Sequence, residues 1–288
     1  MKVSIVVPVY KAEETLERCL NSILMQTHSD WKAILIEDAS PDNSGRIAEK
    51  YAQMDSRICY LRNERNMGVA ATRNRALELL EEGYAAFLDS DDWWEPDALE
   101  KMLSAVRQYD ADLVQCAWRI NYPDGSEIVE ENTFPELRVF EREEFGIPLR
   151  KMLTGISMNH TCRKLVHCEL LKGLRFDEAL ETAEDLEMSF QLLLRAKRIV
   201  FVPDGLYHYY RHGAGLTGSG LSFRKKWRAN CMVSERMLQQ LPGTELNTFR
   251  YRLLARTRPF IIVLDKVMRL LRDKKMLKRG ASERNNHG

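Results

Sequence analysis

The sequence predicts an α/β protein: a mostly parallel sheet flanked by helices, followed by a C-terminal helical appendage. Three observations predict it. Short apolar runs alternate with helix-period stripes over the first half, as in successive βαβ units. The run Val3–Val9 is almost continuously apolar, as expected of a strand covered on both faces. Charge also divides along the chain. The 288 residues hold 43 basic and 42 acidic side chains, but residues 219–288 alone hold 17 basic and 5 acidic ones, which leaves an acidic body and a basic tail.

The elements follow in order. After the strand Val3–Val9, residues Leu16, Cys19, Leu20, Ile23 and Leu24 form one helical stripe. Ala33–Ile36 is a second strand, Ile47, Ala48 and Tyr51 mark a second helix, and Ile58–Leu61 is a third strand. A helix is expected from Ala70 to Leu80 and a fourth strand over Ala85–Leu88. Pro96 suits the first turn of the next helix, whose buried stripe is Leu99, Met102, Leu103 and Val106. A strand over Leu113–Ile120 ends at the turn Tyr122-Pro-Asp-Gly-Ser126. Residues 127–180 carry no regular pattern. Leu186, Phe190, Leu193 and Leu194 signal a helix, and Ile199–Val202 a further strand. Gly213, Gly215, Gly218 and Gly220 mark the boundary between a domain over 1–218 and an appendage over 219–288. Helices are expected around Trp227–Leu241 and Leu246–Leu271, the second kinked or divided at Pro259.

Composition excludes several classes. At 44% apolar and 30% charged the chain is neither disordered nor fibrous. No apolar run approaches the ~20 residues that span a bilayer, and the opening MKVSIVVPVY lacks the features of a signal peptide. Six cysteines without a CxxC pair then suggest a reduced, cytosolic setting. His160-x-Cys162 and His167-Cys168 lie close together but match no zinc spacing.

Ligands of open parallel sheets gather at the carboxyl ends of the strands. There the sequence places Glu37-Asp38 and, after the fourth strand, Asp89-Ser90-Asp91-Asp92. Converging carboxylates need a cation, and hard oxygen ligands suit Mg²⁺ or Mn²⁺. Asp89–Asp92 as a helix cap is the alternative, although three acids in four positions exceed what a cap requires. Glu184-Asp185 opens a helix, where acids are favoured on structural grounds alone. A functional role requires that pair to face the same cleft.

Taken together, VSIVVPVY (3–10), CLNSILMQT (19–27), ILIEDASPDNS (34–44), RNMGVAATRN (65–74), FLDSDDWWEPDALEKM (87–102), ETAEDLEMSF (181–190) and LYHYYRHGAGLT (206–217) resemble an inverting family 2 glycosyltransferase with the GT-A fold. The resemblance covers residues 1–217. It implies that Pro8 and Tyr10 border a nucleotide and that Asp38 binds its base, usually uracil. It implies that Arg73 and Asn74 hold the nucleotide side of the cleft. Asp91 would be a metal ligand, with Asp89 closer to the donor sugar or ribose. Asp185 would be the general base, with Glu184 beside it. Arg211, and His208 as a metal or phosphate contact, would belong to a closing loop. A packing role is an equal alternative for His208. The implied reaction moves a sugar from a nucleotide-diphosphate sugar to a hydroxyl of a glycan or lipid-linked acceptor in cell-surface polysaccharide synthesis, with Mn²⁺ or Mg²⁺.

Two readings compete with it: transfer to a polyprenyl phosphate, which needs no base, and a non-catalytic nucleotide-sugar binder. A sugar nucleotidyltransferase would want a glycine-rich loop after the first strand, which VPVYKAEE lacks. Four positions depart from the family pattern: Lys11 for a frequent Asn, Arg75 for Gly, Thr161 near a frequent Trp, and Gly215 for Ser. The basic, apolar-interleaved segment 250–279 suits an anionic membrane surface, which would put the enzyme at the inner face of the plasma membrane. No recognition fold for nucleic acid accompanies it. The alternative for this segment is a helix packed on the domain.

Overall fold

The structure is a computed structural model that describes residues 1–129, 134–155, 158–211, 222–241, 244 and 246–261. Its core is a ten-stranded sheet in the order β3-β2-β1-β4-β9-β6-β10-β5, with β7 on β6 and β8 on β10. Here β1 is Val3–Val9, β2 Trp31–Glu37, β3 Ile58–Arg62, β4 Tyr84–Phe87, β5 Trp93–Trp94, β6 Leu113–Asn121, β7 Glu127–Val129, β8 Arg138–Phe140, β9 Lys164–His167 and β10 Ile199–Tyr210. Strands β1 to β4 are parallel, as are β6 and β10. The antiparallel β9 pairs with β4 on one side and β6 on the other, so it joins the two parallel blocks.

Alternate residues of each central strand enter two cores. Ile5, Val7, Ala33 and Leu35 meet α1 (Leu16–Leu24), α2 (Ser44–Met54) and α4 (Ala98–Tyr109). Val6, Ile34, Ile36 and Phe87 meet α3 (Val69–Leu77), α5 (Gly146–Thr154), α6 (Cys168–Leu171) and α7 (Glu184–Arg195). Both strand faces are therefore buried, which explains the near-continuous apolar runs. The helix α8 (Phe223–Gln240) adds Ala229, Val233 and Met237 to the second core.

Several boundaries differ from expectation. Helix α3 stops at Leu77, and Leu79 and Leu80 continue only as a turn with N–H bonds to Ala76 and Leu77. Strand β10 does not stop at Val202 but runs on to Tyr210, because its register on β6 shifts between Val202 and Gly205. That bulge accommodates Pro203, which cannot donate to a regular ladder. The irregular stretch 127–180 contains β7, β8, α5, β9 and α6. A helix over 249–261 continues through Pro259 without interruption. Tyr251 of that helix lies so close to Gly146 of α5 that a Cβ there would overlap its ring. The glycine boundary 213–220 and the basic residues beyond 261 lie outside the described residues. Among the described residues, no helix is long and apolar enough to cross a membrane.

Candidate active site

The carboxyl edge of β1, β2 and β4 carries the residues singled out from the sequence. Asp38 follows β2 and is buried. Its Oδ1 accepts from Asn63 Nδ2 (2.7 Å) and the Met67 N–H (2.9 Å), and its Oδ2 accepts from the Gly68 N–H (2.8 Å). Asp38 thus fixes the loop that leads into α3. Pro8 is half-buried in β1, and Tyr10 beyond it is exposed. Lys11 lies at φ 50°, a left-handed conformation that Asn tolerates better than Lys. That is a physical reason for the family's Asn. Ala39 (φ 52°) and Ala183 (φ 70°) are left-handed too and flank Asp38 and Glu184.

At the centre is Arg73, on α3 and only 3% exposed. Its Nη2 donates to Asp89 Oδ1 at 2.8 Å, and its Nη1 donates to Asp185 Oδ1 at 3.0 Å and Glu184 Oε1 at 3.2 Å. The acidic pair at the start of α7 therefore does face the acids that follow β4. Burial alone would lower the Arg73 guanidinium, but the three carboxylates outweigh it and raise it further. The same geometry separates the acids. Burial, with Asp185 and Asp91 nearby, lifts Asp89 against the pull of Arg73. Burial and Asp185 push Glu184 up to about 7. Burial works against Asp185 as well, yet Arg73, the Thr161 hydroxyl and Lys164 together hold it below the ordinary carboxylate range. One member of the pair is ionised across neutral pH and the other titrates there.

The other sequence candidates divide. Asn74 gives its amide to the backbone of Phe176, donating to the carbonyl (2.9 Å) and accepting from the N–H (2.8 Å), and also donates to Glu178 (2.9 Å). It braces the chain beneath Arg73 rather than offering its amide to the cleft. Asp92 is buried, accepting from the Tyr207 hydroxyl and from the Tyr210 N–H (2.7 Å), and so ties β10 to the acidic turn. Helix α4 begins only at Ala98, after Asp97, so the 89–92 acids do not cap it. The Asp91 carbonyl accepts from Arg18 (2.9 Å), whose guanidinium lies between the Trp93 and Tyr210 rings.

His208 takes the packing role in this arrangement, which the sequence offers beside a metal or phosphate contact. Its Nε2 lies 3.0 Å from Glu95 and its Nδ1 3.1 Å from Asn121, and its ring stacks on Trp93. The side chain thus joins an inter-strand network. It lines a cavity of about 620 Å³ with Arg18, Trp93 and Glu95. Arg211 ends β10 with its guanidinium 3.2 Å from the Tyr122 hydroxyl. Among the described residues no three His, Cys, Asp or Glu side chains are gathered as a metal cluster. The carboxylate oxygens of Asp89 and Asp91 fit a hard cation that completes its shell with substrate phosphates and water.

Sequence reasoning missed the floor beneath Asp185. A short turn, Thr161–Arg163, leads into β9. Thr161 is fully buried, and its hydroxyl donates to Asp185 Oδ1 at 2.5 Å. His160 places Nδ1 4.0 Å from Asp185 Oδ2 and packs on Trp118. Lys164, pushed down to about 7 by burial and by Arg163, donates to the carbonyls of Met158 (2.9 Å) and His160 (2.6 Å). No period or motif in 158–164 announces this arrangement.

A mixed sheet of this kind, with an acidic cleft at the carboxyl edge of its parallel strands, places the protein among the α/β proteins that gather ligands at that edge. The chain matches the sequence profile of glycosyl transferase family 2 over residues 4–175 and belongs to that family. It is 29% identical over 216 residues to glycosyltransferase GlyA of Streptococcus pneumoniae serotype 4, covering 72% of this chain and 30% of that protein. It is 32% identical over 220 residues to the Bacillus subtilis protein named uncharacterized glycosyltransferase EpsJ, covering 75% of this chain and 62% of that one. The chain thus spans less than two thirds of either relative. Among solved structures, S. aureus TarS 1-349 in complex with UDP-GlcNAc is similar with a TM-score of 0.72 and 22% identity, over 88% of this chain and 70% of that one. The fold is GT-A.

Proposed function

We propose that the protein transfers a sugar, with inversion, from a uridine-diphosphate sugar to a hydroxyl of a glycan or lipid-linked acceptor in cell-surface polysaccharide synthesis. The observation that carries this reading is the Arg73 junction, which holds Asp185 ionised at the same point to which Asp89 is tied. A carboxylate kept charged in a cleft is equipped to take a proton. Transfer to a polyprenyl phosphate, already ionised, would give that arrangement no task. The TarS complexes with UDP-GlcNAc and UDP and the names of the relatives support the donor class.

Pro8, Tyr10 and Asp38 border the nucleotide, while Asp89, held by Arg73, faces the donor sugar. Arg211 stands at the end of β10 to meet the diphosphate. Asp185 removes the acceptor proton as the hydroxyl oxygen attacks the anomeric carbon opposite the departing nucleoside diphosphate. Mn²⁺ or Mg²⁺ would be held by Asp91 and, when bound, supplies Lewis-acid neutralisation of the leaving group. Asp185→Asn is expected to lower turnover by ~10²–10⁴-fold while calorimetric binding of UDP with Mn²⁺ stays near that of the parent. Unchanged turnover in that variant rules out Asp185 as the base.

The enzyme's place of work belongs to the same reading: peripheral, at the cytoplasmic face of an anionic membrane. Phe223 (65% exposed), Phe249 (82%) and Phe260 (65%) stand out from α8 and the 249–261 helix beside Arg224, Arg250 and Arg256. Apolar side chains rimmed by cations suit a lipid headgroup boundary.

A further inference from the structure

The two oxygens of Asp185 are not equivalent. Among the described residues, Oδ1 takes the two side-chain donors that reach the carboxylate, Thr161 Oγ1 at 2.5 Å and Arg73 Nη1 at 3.0 Å. Oδ2 faces His160 Nδ1 across 4.0 Å. That gap is too wide for a hydrogen bond between the two, yet one hydroxyl oxygen set ~2.8 Å from each would fill it.

We propose that this gap seats the reacting hydroxyl of the acceptor: Thr161 pins Oδ1 and so reserves Oδ2 as the proton acceptor, and His160 Nδ1 binds the hydroxyl oxygen. The proposal rests on the reading of Asp185 as the base. It assigns Thr161 as a positioning residue and His160 as a direct contact of the acceptor.

The surroundings fit these roles. His160 is neutral, pushed down to about 3 by burial and by Arg163, Lys164 and Arg73. A neutral imidazole donates from one nitrogen only. Its Nε2 is buried and finds no partner among the described residues. An unmet lone pair at Nε2 is less costly than an unmet N–H, so the proton belongs on Nδ1, facing the gap. The ring is held by Trp118, at 4.9 Å between centroids, and the His160 carbonyl by Lys164 Nζ.

In the step itself, the acceptor O–H proton passes to Oδ2 as the oxygen forms its bond to the anomeric carbon. The bond from that carbon to the phosphate oxygen breaks, and its electron pair leaves with the nucleoside diphosphate. His160 holds the oxygen by Nδ1–H and exchanges no proton. Charged and titratable groups facing Asp185 are Arg73 from α3, Asp89 from the end of β4, Glu184 from its own helix, and His160 and Lys164 from the turn and strand β9.

The test uses two readouts on the full chain: the ¹³C titration of the Asp185 side-chain carboxyl in the free protein, and the pH profile of UDP-GlcNAc hydrolysis with Mn²⁺, water serving as acceptor. Thr161→Val keeps the shape and removes the hydroxyl. It should move the Asp185 titration up by about one pH unit or more, and the acid limb of the hydrolysis profile with it. Thr161→Ser should restore both. His160→Phe keeps the ring on Trp118 and should cut hydrolysis at least about tenfold, with UDP affinity unchanged. A Thr161→Val titration that stays at the parental pH, equal displacements in the Val and Ser variants, or parental hydrolysis by His160→Phe would each overturn the proposal. The Asp185→Asn protein separates the two layers. Full hydrolysis by that variant removes the base reading, whereas its inactivity beside an unmoved Thr161→Val titration removes only the seat described here.

Discussion

At Arg73 one buried guanidinium meets three partly exposed carboxylates, and the balance leaves Glu184 as the strained partner. Its folded pKa of about 7 stands above the ordinary 4.5. Between those values the folded protein binds more protons than the unfolded chain, so this carboxyl stabilises the fold below pH 4.5 and loses that contribution as pH rises to 7. Glu184→Gln has no such slope. Urea midpoints at pH 5 and pH 8 should show the parent losing stability relative to the variant, by at most ~1.4 kcal/mol for each pH step of one crossed in that window. A difference independent of pH would contradict the assignment. The meeting of Asp89 with Asp185 at Arg73 was half legible in the sequence, because acids after strands, or in a motif, carry a local signal that marks candidates and not their partners. Arg73 was legible as a site residue but not as a counter-ion, since its partners lie 16, 111 and 112 residues away. Thr161 stood out only as a departure from the family pattern, and its hydrogen bond had no local signature.

Among the elements, the units β1–α1–β2–α2–β3–α3–β4 were readable because each strand or helix is long enough to display its period. Strand β5 has only two residues, and β9, though as long as β4, opens on Lys164 and closes on His167, so it shows no apolar run like YAAF of β4. Both are specified by their neighbours rather than by their own pattern. The segment between β9 and α7 is held in part by Asn74, whose amide meets Phe176 and Glu178. Asn74→Ala removes these bonds and leaves buried backbone groups of Phe176 unmet, at a cost of about 1–3 kcal/mol. Hydrogen exchange at residues 174–180 should accelerate in that variant while exchange in β1 and β2 stays as in the parent. Uniform acceleration would mean that Asn74 supports the whole fold instead.

Over the whole molecule, the split between acidic body and basic tail coexists with intimate packing. Val233 and Met237 of α8 and Ala255 of the 249–261 helix share the core that buries Phe190 and Leu192 of α7. Buried Arg258 donates to Asn230 (2.5 Å) and the Met152 carbonyl (3.4 Å). Packing on the domain is compatible with the proposed membrane contact, because it leaves Phe223, Phe249 and Phe260 of the same helices exposed. The joint variant Phe223→Ser, Phe249→Ser, Phe260→Ser also removes the Phe223 and Phe260 contacts with the Trp227 ring, so it should melt somewhat lower yet stay folded by circular dichroism, and lose co-flotation with vesicles rich in anionic lipid. Retention on vesicles at the parental level would refute the membrane reading.

The double pairing of β9 also governs the order in which the molecule is made. Its four residues bond to β4 and β6, strands that come much earlier in the chain. Such non-local pairs form late, after the loops between them have closed. During synthesis, β1 to β4 leave the ribosome and can assemble while 158–167 is still unmade. Asp38 and Asp89 are thus in place ahead of Thr161 and Asp185, and an unfinished chain carries Arg73 without two of the three carboxylates that close around it.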